Sequence, residues 1–600
     1  MCGIFGIIGE YNETQARSAL IKLSHRGPDH CGIISHENLF FAHQRLSIQD
    51  THKRSHQPLK HKNILLSFNG EIYNFKELKR ELDFAFETES DSEVIIAAYL
   101  KWGVAFVEKL RGMFAIALLD GEVLYLFRDR LGKKPLFYLQ NSHSFIFASE
   151  IKAIVPFLRK KEMDEDALLG YLSFLAPTPP LTFFKGIKKL AAGEYLIYRD
   201  KKAEVKRYFD ILESSPNAIN NRDEAVEQLE LLLAESMELR LNTAVPTATL
   251  LSGGIDSATI NYYAKDMGLC LPSYTLGYKE FAKYDERANA KATAEFLGIE
   301  NRTVEIDEVA FIDASEKVFE TMDEPLNDPA AIPLYLLFER IKEDGFRVVM
   351  SGEGSDEIFL GYRQYFEYLD IEKAKELTHK NWLKKYFRSN FSMNREWEWY
   401  KRIFDETLLF RTSGDKFTDL QKNALMRRNV KDNESLKYLK PYRERFESSA
   451  HSDESMWYSY IDLQLFQAEH FLAKLDRVSM AHSIESRTPF LDHKLVEAIF
   501  SLSPKLRYED GITKSLLKEI MKTRLDSSIL SRKKKGFANP YMEYLINSQK
   551  IELILEVNEI TGIFHKEKLL EYIQNAKRGS FKQHVWGLYV LSHWIKRELL

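Results

Sequence analysis

A change of period divides this chain and rules out a single core. Up to about residue 208, short apolar runs alternate with turns. Beyond about residue 222, strand-like runs alternate with longer helical ones. Six hundred residues also exceed what one core holds. In the first part "CGIFGIIG", "NILLSFNGEIY", "MFAIALLD", "VLYLFRD" and "SFIFASE" read as strands, and "FNGE", "LDGE" and "RDRLGKKP" as turns. One helix fits "DSEVIIAAYLKWG", with Asp91 as N-cap and Gly103 at its end. This is a layered α+β pattern. The polar, proline-bearing "ILESSPNAINNRDE" reads as a linker. The expected division is therefore 2–208, a linker at 209–222, and 223–600.

In the second part "DEAVEQLELLLAESMELRL" sets Val226, Leu229, Leu233 and Met237 on one helical face. The runs "TATLLSGG", "LPSYTLGY", "NRTVEI" and "FRVVMSG" then alternate with helices, which predicts an α/β fold with a parallel sheet. From about residue 365 the pattern is mostly helical. A net charge of -4 gives no electrostatic case for nucleic acid or an anionic membrane. Charges break every apolar run before membrane-spanning length. Three cysteines (Cys2, Cys31, Cys270) cannot form a disulfide framework, so a reducing, cytoplasmic setting is expected. The start lacks the basic region of a signal peptide.

Two glycine-rich turns carry the chemistry of the second part. In "TATLLSGGIDSATI" a strand runs into Gly253 and Gly254, which let backbone N–H groups and a helix dipole meet an anion. Ser252 and Ser257 add hydroxyls. Asp256 has the wrong sign for phosphate unless Mg2+ lies between them. No Walker lysine follows. "VVMSGEGSDEIFLGY" ends a second strand, and ligands gather at the carboxyl ends of such strands. Its Glu353, Asp356 and Glu357 offer oxygens to Mg2+ or to a reacting centre. Taken singly, each motif is also compatible with a plain turn or a solvated loop. The run Lys533, Lys534, Lys535 is either a surface patch or, with Gly536-Phe537 behind it, a source of charge for a developing phosphate. Lys514, early in a helix, is a further cation or plain surface. The charges Asp476, Arg477, Glu485, Arg487 and Asp492 either pair internally or recognise a polar substrate.

In the first part, Arg26, Arg45 and Asp91 are candidates for the two ends of an amino acid. Asn69 and the Gly70 N–H could face an oxyanion. Cys2 is the most pointed feature. Removal of Met1 would give one residue a thiol and a free amine of pKa about 7.7–8.0. The amine could then accept the thiol proton, so nucleophile and base would be one residue. A structural near-terminal cysteine is the plain alternative.

Together these motifs resemble a family. "MCGIFG", "HRGPD", "RLSI", "NGEIYN", "RDRLGKKPLFY" and "FASEIKA" are similar to a class II glutamine amidotransferase domain. "LSGGIDS", "DEPLNDPAAIP", "SGEGSDEIF", "DRVSMAHSIESRTPFLD" and "RKKKGFANP" resemble the synthetase domain of glutamine-dependent asparagine synthetase. The resemblance implies an N-terminal αββα Ntn-hydrolase domain. It also implies an α/β ATP-pyrophosphatase domain with a parallel sheet and a helical C-terminal part.

It further implies that Cys2 attacks the glutamine amide, that Arg45, Asn69, Gly70, Glu71 and Asp91 bind glutamine, and that Asn69 and Gly70 form the oxyanion hole. Ser252, Gly253, Gly254, Asp256 and Ser257 would hold the pyrophosphate part of ATP. Leu250, Leu276, Ser351 and Gly352 would lie beside AMP, with Lys514 as a further ATP-side cation. Asp256 and Asp356 would hold Mg2+. Glu353 would lie near the activated carboxylate, and Lys534 would stabilise the adenylation transition state. ATP is a substrate, and aspartate or another carboxylate (a cell-surface glycan or peptide precursor) is the acceptor. Ammonia would pass between the sites through a dry tunnel. No nucleic acid or membrane partner is implied, and a homodimer is allowed. The chain departs from the family pattern at Ala244, Thr247 and Ala248 ("AVPTA" for "DVPVG"), at Leu360 for a frequent glycine, and at Gln49.

Overall fold

The computed structural model describes residues 1–390, 395–410, 416–430, 434–509, 511–532 and 538–600. The first part is a sandwich of two six-stranded antiparallel sheets. One runs Ile187–Lys189, Phe137–Gln140, Ser144–Ala148, Gly3–Gly9, Leu39–Arg45, His30–His36. The other runs Lys202–Arg207, Glu194–Arg199, Val123–Arg128, Gly112–Asp120, Ile64–Ile72, Leu59–His61.

The opening strand shows how sequence builds the layers. Successive side chains go to opposite faces. Ile4 enters the apolar layer that holds Phe41, Leu65, Leu126 and Phe147. Phe5 and Ile7 pack in the other layer, with Ala16 and Leu20 of the helix Glu13–Ile21. Gly6 is required by space, because a Cβ there would lie 2.3 Å from the Phe147 ring. The second sheet buries Leu66, Phe68, Phe114 and Ile116 against Val94 and Ile95 of the helix Ser92–Trp102. The result is αββα.

The second part holds five parallel strands in the order Asn301–Ile306, Ser273–Tyr278, Thr247–Leu250, Val348–Met350, Glu485–Arg487. Strand order reverses between Thr247–Leu250 and Val348–Met350, the place where open α/β sheets take ligands. The expectation of a mostly helical chain after residue 365 misses the strand Glu485–Arg487. Its three residues, two of them charged, carry no apolar signal. The segment between the halves is pinned: Ile211, Leu212 and Ile219 are buried with the second half's core, and Ile219 bridges to Leu502.

Buried ion pairs join the halves. Arg26 meets Glu150 at 2.7 Å and Asp476 at 2.8 Å, and Arg477 reaches Glu150 at 2.7 Å. Asp492 accepts from Arg111 and Arg240, each at 2.9 Å. Internal pairing is thus what the dense charges of 476–492 do. Arg26 is fully buried in this network, so the expectation that it holds an amino-acid substrate is corrected.

These pairs set the acid response. Burial alone would raise Glu150, Asp476 and Asp492, but the facing cations outweigh it and hold all three below the usual carboxylate range. Their contribution is full above the unfolded value of about 4 and is lost as pH falls through the depressed values. Burial pushes Asp91 the other way, to about 6, so it takes up its proton before the interface weakens. The expected result is a docked pair of halves at pH 5 that only begins to loosen below about pH 4 and separates at still lower pH. Small-angle scattering checks this, and separation already at pH 6 would contradict it.

Candidate active sites

Two cavities collect the candidate residues. The first is lined by Met1, Cys2, Arg45, Gly70, Glu71 and Asp91, with Glu485 from the second half. Cys2 directly precedes the opening strand Gly3–Gly9 and is buried. Its N–H donates to Asn69 Oδ1 at 2.8 Å, and its Sγ lies 3.9 Å from the Leu46 carbonyl oxygen. Arg26 Nε donates to the Cys2 carbonyl oxygen at 3.0 Å, which ties the nucleophile candidate to the interdomain network. Burial pushes the Cys2 thiol up, so it needs a proton acceptor before it can react.

Asn69 has spent its oxygen on Cys2. Its Nδ2 is buried and has no hydrogen-bond partner among the described residues. Such an orphan N–H group is costly unless something visits it, and a developing oxyanion is the natural visitor. Gly70 follows in the strand Ile64–Ile72, and a Cβ there would stand 2.0 Å from the Met113 carbonyl oxygen.

Asp91 stands at the N-cap position of Ser92–Trp102 but caps nothing. Its carboxylate accepts from the Ile72 N–H at 2.9 Å instead, which corrects the capping expectation and frees it for the cavity. Glu71 is raised well above its ordinary value by burial and by Glu485, while it lies 3.3 Å from Arg487. The Met1 ammonium sits 3.1 Å from Glu485, both fully buried. With Met1 attached the Cys2 nitrogen is an amide. Its removal would place the terminal amine at the nitrogen that already faces Asn69.

The second cavity is a cleft of about 430 Å³ at the switch point, within the roughly 300–1,000 Å³ of a small-ligand pocket. Leu250, Ser252, Gly253, Gly254, Asp256 and Ser257 line it from the first turn, and Ser351, Gly352, Glu353 and Asp356 from the second. Leu276 and Lys514 complete it. The helix Ile255–Asp266 starts at this cleft with no side chain capping it, so its N-terminal N–H groups remain for a phosphate. Within the turn, Gly254 N donates to Ser252 Oγ at 3.2 Å and Ser252 N to Ser257 Oγ at 3.0 Å.

Lys514 is the centre of the acidic pair. Its Nζ lies 2.5 Å from Asp256 and 2.7 Å from Asp356, and these carboxylates hold it raised despite burial. It precedes the helix Ser515–Ile520 in a left-handed conformation, φ 57°, rather than lying inside it. Gly361 makes the approach possible, because a Cβ there would fall 2.3 Å from Lys514 Cε. The preceding Leu360 occupies the left-handed region at φ 52°, a conformation that glycine adopts at less cost. Lys534 lies outside the described residues, as do Lys533, Lys535, Gly536 and Phe537.

Sequence reading missed Glu485 as a wall of the first cavity. It also missed Arg532, which donates to Gly253 O at 3.2 Å and Thr293 Oγ1 at 2.8 Å and so braces the first turn. A third omission is Lys474, which donates to Asp328 at 2.8 Å at the edge of the cleft. Burial depresses the Lys474 ammonium less than Asp328 and Glu353 raise it. The adjacent basic run was the available signal for Arg532; for the other two there was none.

Residues 1–209 match the family described as a glutamine amidotransferase domain, which defines a protein that takes nitrogen from glutamine. Residues 228–596 match asparagine synthase. Asparagine synthetase [glutamine-hydrolyzing] 1 of Bacillus subtilis is 31% identical over 99% of this chain and 96% of its own. Asparagine synthetase [glutamine-hydrolyzing] 3 of the same organism is 28% identical over 90% and 87%. Amidase chry2 of Gibberella zeae is 28% identical over 88% and 85%. The chain belongs to the glutamine-dependent asparagine synthetase family. It is a glutamine-dependent, ATP-using amide-forming enzyme of that type. No helix among the described residues is long and apolar enough to cross a membrane.

Proposed function

We propose that this enzyme amidates the β-carboxylate of aspartate in the cytoplasm, using ATP and ammonia released from glutamine, and forms asparagine, glutamate, AMP and pyrophosphate. The observation that carries the reading is Asn69, whose oxygen holds the Cys2 nitrogen while its buried amide N–H2 has no partner among the described residues. The division 2–208, 209–222 and 223–600 is kept as part of the proposal.

At the first cavity, the processed Cys2 gives its proton to its own amine and attacks the glutamine amide. Asn69 Nδ2 and the Gly70 N–H receive the oxyanion. Arg45 takes the substrate carboxylate, and Glu71 and Asp91 take its ammonium. Collapse of the oxyanion breaks the C–N bond and expels ammonia, which takes the proton held by the Cys2 amine, and water then releases glutamate from the thioester.

At the cleft, the SGGIDS turn and the helix behind it hold the phosphates, with Leu250, Leu276, Ser351 and Gly352 beside AMP. A poor acyl donor becomes a good one when the carboxylate is converted to an acyl adenylate. Glu353 stands near that carbon, and Lys534 stabilises the charge of adenylation. Asp256 and Asp356 suit Mg2+, since both carboxylates already converge on one cation. When bound, the ion would offset phosphate charge. A cavity of about 50 Å³ lies between the halves, where Leu136 and Phe137 from one and Leu326 and Leu472 from the other stand beside the charged Arg128, Lys189, Glu324 and Glu469.

Purified enzyme with ATP, glutamine and a panel of carboxylates is the direct test. Aspartate is expected to give asparagine and pyrophosphate together. Pyrophosphate release with no carboxylate in the panel would overturn the reading. The relatives named amidases favour one second reading, the same chemistry on another carboxylate, and preference for that acceptor in the panel would establish it. Lys534→Ala is expected to cut synthesis by about 10²–10³-fold, the scale of a lost transition-state charge, and to spare glutamine hydrolysis. Unchanged synthesis would remove this lysine from the mechanism.

A further inference from the structure

Among the described residues, the hydrogen bonds of the Arg45 side chain go only to neutral groups. Its guanidinium donates to the carbonyl oxygens of Asp50 and His52, and to His56 Nδ1 at 3.0 Å. All three acceptors come from the segment that follows its own strand. A neutral cage aims a cation without cancelling its charge, which suits a site for an anionic substrate group.

The third acceptor is conditional. An imidazole accepts at Nδ1 only while that nitrogen carries no proton. His56 also stacks on His30, ring centroids 3.6 Å apart and planes within 8°. His30 in turn stands opposite Arg45 across the sheet. The strongest charges facing His56 come from His30, Arg45, Lys53 and His52. The nearby Asp50 carboxylate is engaged by Ser55 Oγ, Arg54 and the His52 and Glu89 N–H groups, and acts on Arg45 with Asp29 and Asp91.

We infer that His56 is a positioning residue for Arg45, and that its protonation makes glutamine binding at the first cavity fail in acid. A protonated His56 would turn an N–H and a second positive charge toward the guanidinium. The inference rests on the reading of Arg45 as the partner of the glutamine carboxylate. Burial and the neighbouring cations push His56 and His30 below their ordinary values, so the loss belongs below about pH 6.5.

Full-length enzyme carrying Cys2→Ala binds without turnover and can be titrated with glutamine by calorimetry at pH 7.5 and 5.0. On that background, affinity is expected to fall about tenfold or more on acidification, the scale of one charged hydrogen bond. His56→Leu should bind about tenfold more weakly already at pH 7.5. His56→Asn, whose Oδ1 accepts at any pH, should recover most of the affinity and weaken less steeply in acid. The terminal amine and Asp91 titrate in every variant, so a difference in slope belongs to residue 56. An equal slope in His56→Asn overturns the inference. Arg45→Ala separates the two levels: unchanged affinity at pH 7.5 removes the reading beneath, whereas lost affinity with an unaltered His56→Asn slope removes only the role of His56.

Discussion

Cys2→Ala is expected to lower glutamine-dependent amide formation by about three orders of magnitude or more, the scale on which losing a nucleophile acts, and to leave ammonia-dependent formation at the parent level. The separation follows from the layout. Cys2 lines the first cavity, and all the residues assigned to ATP line a different one. The substitution removes one sulfur whose only polar contact among the described residues is a 3.9 Å approach to the Leu46 carbonyl. The Cys2 N–H to Asn69 and the Arg26 bond to the Cys2 carbonyl are backbone contacts that survive it. The sandwich and its docking should therefore persist. Assays of asparagine with glutamine and then with ammonium chloride read the two halves in turn. Loss of both activities would mean that the sites are not chemically independent. Mass spectrometry of the purified parent adds a condition, because the self-activated thiol requires that Met1 be gone.

How far the chain could be read depended on the range of the contacts involved. Strand alternation is local, so the layers around Ile4, Phe5 and Ile7 were legible. The placement of Asn69 and Gly70 on one strand, and of the two glycine-rich turns after strands, was legible for the same reason. Charged groups were not, because their type is local but their partner is not. Arg26 has the side chain of a substrate binder, yet Asp476 meets it from 450 residues away. Glu485 reaches the first cavity, and Arg487 its wall residue Glu71, from a strand too short and polar to announce itself. Asp91 sits in the capping position that spacing predicts, but the Ile72 N–H claims its carboxylate. Lys514 looked like a helix residue with an open role, and only the fold sets it between Asp256 and Asp356.

That last arrangement carries the second large effect. Lys514→Met is expected to lower pyrophosphate release by about 10²-fold or more with either nitrogen donor, while glutamine hydrolysis continues. With the ammonium present, the half-buried Asp256 and Asp356 share the one positive charge of the buried Lys514. Without it, two carboxylates face each other and whatever phosphate enters the cleft. Removing one partner of a buried ion pair costs about 3–5 kcal/mol, because the remaining charge has no compensation. Part of that cost would appear as a lower melting temperature. The rest would appear as weaker ATP binding, because the two carboxylates repel its phosphates, so the KM for ATP should rise. Methionine keeps the length of the lysine stem beside Gly361, where no Cβ competes for space, so a loss of activity would report on charge rather than on packing. Pyrophosphate release at the parent rate, with the parent's KM for ATP, would show that the ammonium only braces the cleft and takes no part in holding ATP.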